Sequence, residues 1–494
     1  MKKLLCVLLT VCIALSCAAP VFAAQKTCDC GNLPIVLVSG MGVLPFSLNP
    51  GTPKETVVFP PQPDIKGIVL RATGGLFRTI VSFSMQPLAD AVAEIALELL
   101  GPMACDADGN SLYNVAPALI EGAMSEKDAS LYEDAGEAEF AIIRSAVQAV
   151  GADHVYYYNF DWRLDPLTNA DDLDAYIRRV QQETGHGKVR LAACSMGGVQ
   201  TMAYLQKYGH DSVDTIWFLS AAFCGLLFVT NVFSGELQFN QEAFFGWLQT
   251  LEVGSDKTDA LFDRAMDWCA HTKLLRPLFR LLNRLTDALN AVVVDDVIRH
   301  TLSTMPGMWT FVRDDRYEED KRVMLPHNAS ETFVRRIDAY HYDVFNHREE
   351  ILNAAASDGV QIVVFSHYNN GCVPITSSAL AHGDNLIETT CSSGGATVAD
   401  YGTTLGADYV QRAHKEHNHL SADGVIDAST CMFPDSTWFI KNMAHVGCRK
   451  NSAYAEMLRW MFSQQTQPTV FSDARYPQFL QTDGKTQMTL APVQ

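Results

Sequence analysis

One segment near the middle of the chain passes directly from the pattern of a buried strand into the pattern of a helix. Lys188–Cys194 is a predicted strand that ends in the apolar run Leu191–Cys194, and the apolar spacing after Ser195 is helical as far as Gly209. The small residues Ala193 and Gly197 flank the serine, so the backbone can turn sharply between the two elements. Such a turn presents a serine as a nucleophile, although serine is also a common residue at helix N-termini.

The rest of the chain repeats this alternation of strands and helices. Short β-branched or aromatic runs predict further buried strands at Pro34–Val38, Val155–Tyr158, Thr215–Leu219 and Gly359–Phe365. Helical spacing predicts helices over Pro87–Leu100 and Asp171–Thr184. Strands that alternate with helices form mostly parallel sheets, so the predicted fold class is α/β with helices flanking such a sheet.

The 494 residues are too many for one small domain and suit one large α/β domain with an insertion. We expect a signal peptide at 1–23, the first part of the core at 24–222 and its second part at 359–494. Between them, residues 223–358 have a mainly helical pattern, which predicts a helical cap or lid.

The N-terminus has the pattern of a secretory signal. Lys2 and Lys3 precede the apolar segment Leu4–Leu15, and small residues at 21–23 form a cleavage site. The chain is therefore predicted to be exported, either secreted or associated with the cell envelope. A lipid anchor on Cys17 is the alternative, but the residues before this cysteine match a lipobox poorly.

Composition and charge exclude several classes of partner. With 48% hydrophobic and 19% charged residues, the chain is globular. Its formal net charge of -19 argues against nucleic-acid binding, which needs clustered Lys and Arg. The same charge argues against electrostatic docking on anionic lipid.

Export makes disulfides plausible for the cysteines that follow the signal peptide. The candidate pairs are Cys372 with Cys391 and Cys431 with Cys448. Cys28 and Cys30 are spaced too tightly for an ordinary zinc knuckle, so we interpret them as a terminal pair or as two free thiols.

A nucleophilic serine needs a histidine base and an acid, and in this type of fold the acid follows the serine and the histidine comes last. Asp423 lies in a predicted turn, and His445 is the only histidine after it. Asp427 and Asp435 also precede His445 and are rivals for the acid.

Five segments of the chain resemble the lecithin:cholesterol acyltransferase family. They are Val36–Gly40, Asn159–Arg163, Ala193–Gly198, Asp423–Val425 and the late His445. They are similar to the family's turn after the first strand, its Asp-Trp-Arg stretch, its Ser-Met-Gly-Gly elbow, its Asp-Gly-x-Val acid turn and its C-terminal histidine. The sequence departs from the family with Ser39 in place of proline, with Cys194 in place of histidine, and in the segment after Gly42.

The resemblance implies an α/β-hydrolase fold with a large cap insertion. It implies Ser195 as nucleophile, Asp423 as acid and His445 as base. It further implies an oxyanion hole, formed by the N–H of Met196 and an N–H of Met41 or Gly42.

The predicted activity is that of an exported serine acyl-hydrolase or O-acyltransferase that acts on phospholipid or acylglycerol esters through an acyl-enzyme. No dissociable cofactor and no metal is expected, because the triad chemistry is self-contained. The expected partner is a lipid ester, and the cap offers a surface for contact with a membrane or lipid particle.

Two other functions remain open on the sequence alone. One is a non-lipid esterase or peptidase with the same triad, and the other is a non-catalytic surface protein that binds ligands on this scaffold. A histidine-rich segment with His414, His417 and His419 lacks the spacing of a closed zinc site, so we interpret it as a polar surface loop.

Overall fold

A central β-sheet organises the chain, for which the computed structural model describes residues 28, 30–61, 78, 86–133, 138–249, 256–284, 297–445, 451–483 and 489–494. The predicted signal peptide lies outside these residues. In chain order the strands are β1 (Ile35–Val38), β2 (Phe46–Leu48), β3 (Thr56–Phe59), β4 (Val115–Pro117), β5 (Val155–Tyr158), β6 (Val189–Cys194), β7 (Val213–Leu219), β8 (Gln361–Tyr368), β9 (Asn370–Gly371), β10 (His382–Gly383), β11 (Thr397–Val398), β12 (Ile426–Asp427), β13 (Thr437–Lys441), β14 (Phe479–Gln481) and β15 (Ala491–Pro492).

Eight of these strands form the main sheet, in the order β15-β14-β13-β8-β7-β6-β1-β5. All neighbours pair in parallel except β14 and β15, which are antiparallel. The prediction of a mostly parallel sheet is therefore confirmed. Because parallel strands end at the same edge, the loops after β1, β6, β8 and β13 meet at one side of the sheet.

Helices cover both faces of this sheet. Side chains alternate along β1, so that Val36 and Val38 belong to one hydrophobic cluster while Ile35 and Leu37 belong to another. The described α-helices are Gln86–Leu100, Ser130–Glu133, Ala138–Val150, Pro166–Thr184, Gly197–Tyr208, Leu227–Phe233, Gln241–Gln249, Asp256–His271, Arg276–Arg284, Pro306–Trp309, Asp314–Met324, Glu331–Ala339, Arg348–Ser357, Thr389–Ser392 and Ser452–Phe462. In the described part of the chain, no helix combines the length and apolar character that crossing a bilayer requires.

The predicted cap, residues 223–358, lies entirely between β7 and β8 in the chain. Its last helix, Arg348–Ser357, contacts the helix Gly197–Tyr208 beside the sheet. Leu352 and Ala355 of that last helix belong to the same hydrophobic cluster as the sheet. The end of the insertion is thus packed into the core, and the division of the chain at 223 and 358 stays a prediction.

The predicted disulfide between Cys372 and Cys391 is wrong in this structure. Both residues are buried, and they are not joined to one another. The sulfur of Cys372 instead packs against the backbone of Gly383 in β10. Cys431 hydrogen-bonds through its thiol to the carbonyl of Ala428, and Cys448 lies outside the described residues.

Candidate active site

Ser195 lies in the sharp turn between β6 and the helix Gly197–Tyr208. Its φ of 49° is in the left-handed region, which non-glycine residues rarely adopt and which recurs at functional sites. Its neighbours Cys194 and Met196 are buried, whereas Ser195 is partly exposed. No side chain caps the following helix, so the alternative role of Ser195 as a helix cap is not observed.

Two glycines allow the chain to pack tightly around this serine. A Cβ atom on Gly197 would clash with the carbonyl oxygen of Val38 in β1. A Cβ atom on Gly40 would lie 2.9 Å from the Cβ of Ser195. The loop after β1 therefore lies directly against the nucleophile candidate.

His445 follows β13 and is paired with Asp384. Its Nδ1 lies 2.7 Å from Oδ2 of Asp384, and its backbone N–H donates to the carbonyl of Asp384 over 2.6 Å. The loop that carries His445 is itself tied to the end of β8, because the Asn442 N–H donates to the Tyr368 carbonyl. This geometry holds the imidazole in one orientation at the carboxyl edge of the sheet.

Asp384 lies in the excursion that follows β8, directly after the short strand β10. Its side chain is 1% exposed, and its Oδ1 accepts the backbone N–H groups of Leu386 and Ile387 at 3.1 and 2.7 Å. One carboxylate oxygen is thus fixed by the loop, while the other faces His445. Sequence reasoning missed this acid, although Gly383 and Asp384 form a turn-like pair after a predicted strand.

Asp423 does not pair with His445, which corrects the predicted acid. Its Oδ2 lies 2.8 Å from Nζ of Lys441 and accepts the hydroxyl of Tyr368 over 3.0 Å. Asp423 lies just before β12, which pairs with β11, and its carboxylate contacts Tyr368 at the end of β8 and Lys441 at the end of β13. The acid turn found by resemblance therefore forms a local ion pair.

The two rival acids also lie elsewhere. Asp427 is fully buried and accepts hydrogen bonds from the hydroxyl of Tyr409 and from the N–H and hydroxyl of Ser429. The carboxylate of Asp435 is exposed and lies 3.4 Å from Nε2 of the buried His419. Neither aspartate is paired with His445.

A cavity of about 230 Å³ brings the candidate residues together. Ser195 and His445 both line it, and apolar side chains form much of its remaining wall. Its lining residues are Gly40, Met41, Gly42, Val43, Glu139, Ile142, Cys194, Ser195, Leu219, Ser220, His367, His445 and Tyr454. Within the described residues, none of this wall comes from 223–358, the predicted cap.

Backbone N–H groups suited to an oxyanion hole surround the cavity. Those of Met196, Met41 and Gly42 make no hydrogen bond within the described part of the chain, whereas the Gly40 N–H donates to Oε1 of Glu139 over 2.6 Å. The predicted donors therefore stay available, at a helix N-terminus and in the turn after β1.

Glu139 is a site residue that sequence reasoning missed. It lies at the start of the helix Ala138–Val150, is 5% exposed, and also accepts the hydroxyl of Tyr157 over 2.7 Å. No motif surrounds it, since only the packing of this helix on β1 and β5 brings its carboxylate to the cavity.

A second histidine, His367, lies at the end of β8 beside the His445–Asp384 pair. Its Nδ1 lies 3.1 Å from Oγ of Ser220, and both residues are buried. Burial lowers the pKa of His367 to about 4, against the opposing effect of the Asp384 charge. His367 is therefore neutral near pH 7 and adds no cation to the site.

The pKa of His445 is raised, in contrast to the lowered pKa of His367. Burial by itself lowers this pKa, but the charge of Asp384 and its hydrogen bond, together with the charge of Glu139, raise it above the usual histidine value. Burial likewise disfavours an ionised Asp384, yet His445 and the backbone N–H of Ile387 hold its pKa below the usual value. The arrangement stabilises an imidazolium at His445, as a general base requires after it accepts a proton.

Two further sequence features have structural roles. Arg163 is completely buried, pairs with Asp161 and hydrogen-bonds to backbone carbonyls. In the histidine-rich segment, His414 and His417 are exposed as predicted, but His419 is fully buried with its Nδ1 2.9 Å from Oε1 of Gln478. The prediction of a surface loop is therefore wrong for His419.

One family model agrees with this architecture, and two solved structures show only a distant similarity. The model of a family described as the alpha/beta hydrolase fold matches residues 157–324, and no curated protein matches the sequence. A chain in the crystal structure of a Tle4–Tli4 complex is similar at a TM-score of 0.32 and 10% identity, over 89% of this chain and 98% of that one. A candidate lipase (lip1) from Acinetobacter baumannii AYE is similar at a TM-score of 0.16 and 13% identity, over 44% of this chain and 81% of that one. The predicted α/β-hydrolase fold is confirmed by the family match and the sheet.

Proposed function

We propose that this protein is an exported serine hydrolase that cleaves lipid esters with Ser195, His445 and Asp384. The single observation behind the triad is the 2.7 Å contact between Nδ1 of His445 and Asp384, at the wall of a cavity that Ser195 also lines. The positive φ of Ser195 supports the same assignment, because this strained turn exposes a nucleophile at the sheet edge. The broader class, a hydrolase, agrees with the fold.

The proposed reaction is an acyl transfer in two steps. Nε2 of His445 takes the hydroxyl proton of Ser195 while Oγ forms a bond to the ester carbonyl carbon. The N–H groups of Met196 and of Met41 or Gly42 stabilise the oxyanion. When the ester C–O bond breaks, the imidazolium gives its proton to the leaving alcohol, and an acyl-enzyme remains. Water or a second alcohol then attacks this ester by the same route.

The proposed substrate class rests on the walls of the cavity and on the sequence resemblance. Val43, Ile142 and Leu219 offer apolar contacts for an acyl chain. The segments similar to lecithin:cholesterol acyltransferases favour a phospholipid or acylglycerol ester. Transfer to an alcohol, as in that family, is the second activity that we propose to test. Export is proposed from the N-terminal signal pattern.

Active-site labelling tests the nucleophile. A fluorophosphonate probe is expected to label the native protein at Ser195, and Ser195→Ala is expected to lose both labelling and esterase activity. Ser463→Ala, a change at an exposed serine at the end of the last described helix, serves as the matched control and keeps both. An unlabelled but folded native protein would favour a non-catalytic binding role.

Substrate profiling tests the lipid assignment. We expect p-nitrophenyl esters of longer acyl chains to be cleaved faster than the acetate, because a longer acyl chain buries more apolar surface against the cavity wall. A preference for acetate would instead favour a non-lipid esterase. Mass spectrometry of products from mixed phospholipids, with and without added alcohols, then separates hydrolysis from acyl transfer.

A further inference from the structure

Four side chains that suit a metal ion meet at the edge of the sheet opposite the cavity. They are Cys28, Cys30, His154 and His186, and their ligand atoms all lie within 4.8 Å of one another. Cys30 is 124 residues from His154 and 156 residues from His186 in the sequence. The cluster is therefore a product of the tertiary fold.

The register of the parallel sheet explains why these residues meet. Cys30 lies shortly before β1, His154 directly precedes β5, and His186 lies just before β6. Since β1 pairs in parallel with both β5 and β6, the segments that enter these three strands lie side by side. The backbone N–H of Cys28 also donates to the carbonyl of Gly185, which holds the N-terminal segment against the same loop.

The two distances from the Cys30 thiol fit a tetrahedral ion. Sγ of Cys30 lies 3.4 Å from Nε2 of His154 and 3.5 Å from Nε2 of His186. With a Zn–S bond of about 2.3 Å and a Zn–N bond of about 2.0–2.1 Å, tetrahedral angles place sulfur and nitrogen about 3.6 Å apart. The two imidazole rings are tilted by 61° with centroids 5.6 Å apart, and Nε2 of each ring lies near the Cys30 thiol.

We propose that Cys28, Cys30, His154 and His186 bind one zinc ion as a structural site. Two thiolates and two imidazoles favour zinc over hard cations such as magnesium or calcium, which prefer oxygen ligands. Four protein ligands leave no open position for substrate, as is typical of structural zinc sites. Binding requires both thiols to release their protons to solvent, after which the ion links the N-terminal segment to the entrances of β5 and β6.

Zinc content tests the site directly. The processed full-length chain, purified under reducing conditions and dialysed against Zn²⁺ and then buffer, is expected to hold about one zinc ion per chain by elemental mass spectrometry. The double variant Cys28→Ser/Cys30→Ser is expected to lose this ion, whereas Cys269→Ser, a change at a cysteine outside the cluster, retains it. A native protein without zinc, or a double variant that keeps it, would overturn the proposal.

A second measurement needs no variant. In the native protein, Co²⁺ exchanged for zinc should show the visible absorption of a tetrahedral thiolate site, and a chelator should expose two additional thiols to titration. The chelator should also lower the midpoint of thermal unfolding, because the metal binds the folded state. A native disulfide between Cys28 and Cys30, detected by peptide mass, would contradict the site whether or not the protein is an esterase.

Discussion

His445 and Asp384 are joined by two hydrogen bonds, one between side chains and one between backbones, although 61 residues separate them. The double contact links the loop after β13 to the loop after β8. The side-chain contact fixes the orientation of the imidazole, and the backbone contact fixes the position of the His445 loop at the sheet edge. A catalytic histidine depends on this kind of support, since its tautomer and direction decide whether it can accept a proton from serine.

The acid of the proposed triad can be identified with Asp→Asn substitutions, which replace one carboxylate oxygen by an amide nitrogen. We expect Asp384→Asn to lower kcat by roughly 10³–10⁴-fold, because the amide disfavours the required imidazole tautomer and removes the charge that stabilises the imidazolium. Asp423→Asn is the matched control, and its activity should stay near that of the native protein, since Asp423 pairs with Lys441. Ester hydrolysis by the purified variants decides the point. A large loss in Asp423→Asn with activity retained in Asp384→Asn would restore the acid predicted by resemblance.

The pH dependence of catalysis follows from the raised pKa of His445. Only neutral His445 accepts the serine proton, so kcat/KM should rise with pH through an apparent pKa above 6.5. Folding shows the opposite dependence: the raised pKa stabilises the folded state below the unfolded pKa, and this contribution is lost as pH rises through the folded value. A pH–rate profile of ester hydrolysis by the native protein measures the acid limb.

Glu139→Gln checks that His445 is the group whose titration produces the acid limb. Removing the Glu139 charge should move the acid limb to lower pH, and by less than Asp384→Asn does, because Glu139 contributes the smaller effect on the pKa of His445. The glutamine keeps an oxygen that can accept the Gly40 N–H. An acid limb unmoved by both substitutions would show that His445 is not the titrating base.

The close approach at Gly197 predicts a severe packing defect. In Gly197→Ala the new methyl group meets the carbonyl oxygen of Val38, so the helix must move away from β1 and carry the serine turn with it. We expect a loss of stability of about 1–3 kcal/mol and a fall in esterase activity. Gly101→Ala, where no atom lies within 4 Å of the added carbon, is the control. Equal urea unfolding midpoints for the two variants would contradict this account.

Arg163 should contribute to stability because its buried guanidinium is fully engaged with polar partners. Its guanidinium pairs with Asp161 at 2.6 Å and hydrogen-bonds to the carbonyls of Met103 and Val115. Arg163→Met leaves these groups without their partner, which should cost about 3–5 kcal/mol of unfolding free energy.

The matched control for Arg163 is the exposed pair of Arg179 and Glu183, whose side chains are each 40% exposed. Arg179→Met should cost less than about 1 kcal/mol, because solvent screens that pair. Urea unfolding of both variants measures the difference. A similar small loss in both variants would show that the buried pair contributes no more than the surface one.

Local patterns predicted the elements around Ser195 well. The strand at β6, the turn and the helix ending before Gly209 all lie where hydrophobic spacing and small residues indicate. The mostly parallel sheet also agrees with the prediction. These features depend on residues close together in the chain or on the order of elements.

Contacts between distant loops were predicted poorly. Asp423 has the acid turn of a known family, yet Asp384 reaches His445, because the path of the β8–β10 excursion decides which carboxylate lies beside the imidazole. Glu139 reaches the cavity only through helix packing. Cys28 and Cys30, interpreted from the sequence as a pair or as free thiols, meet two histidines from other segments.

The sequence by itself determined the alternation of strands and helices, the serine turn and the late histidine, because these depend on short-range periodicity and side-chain size. Only the tertiary structure decided which acid meets His445, that Glu139 faces the same cavity, and that two cysteines and two histidines form one cluster. The physical reason is that strand register and loop paths bring these groups together in space, and no fixed spacing along the chain encodes such contacts.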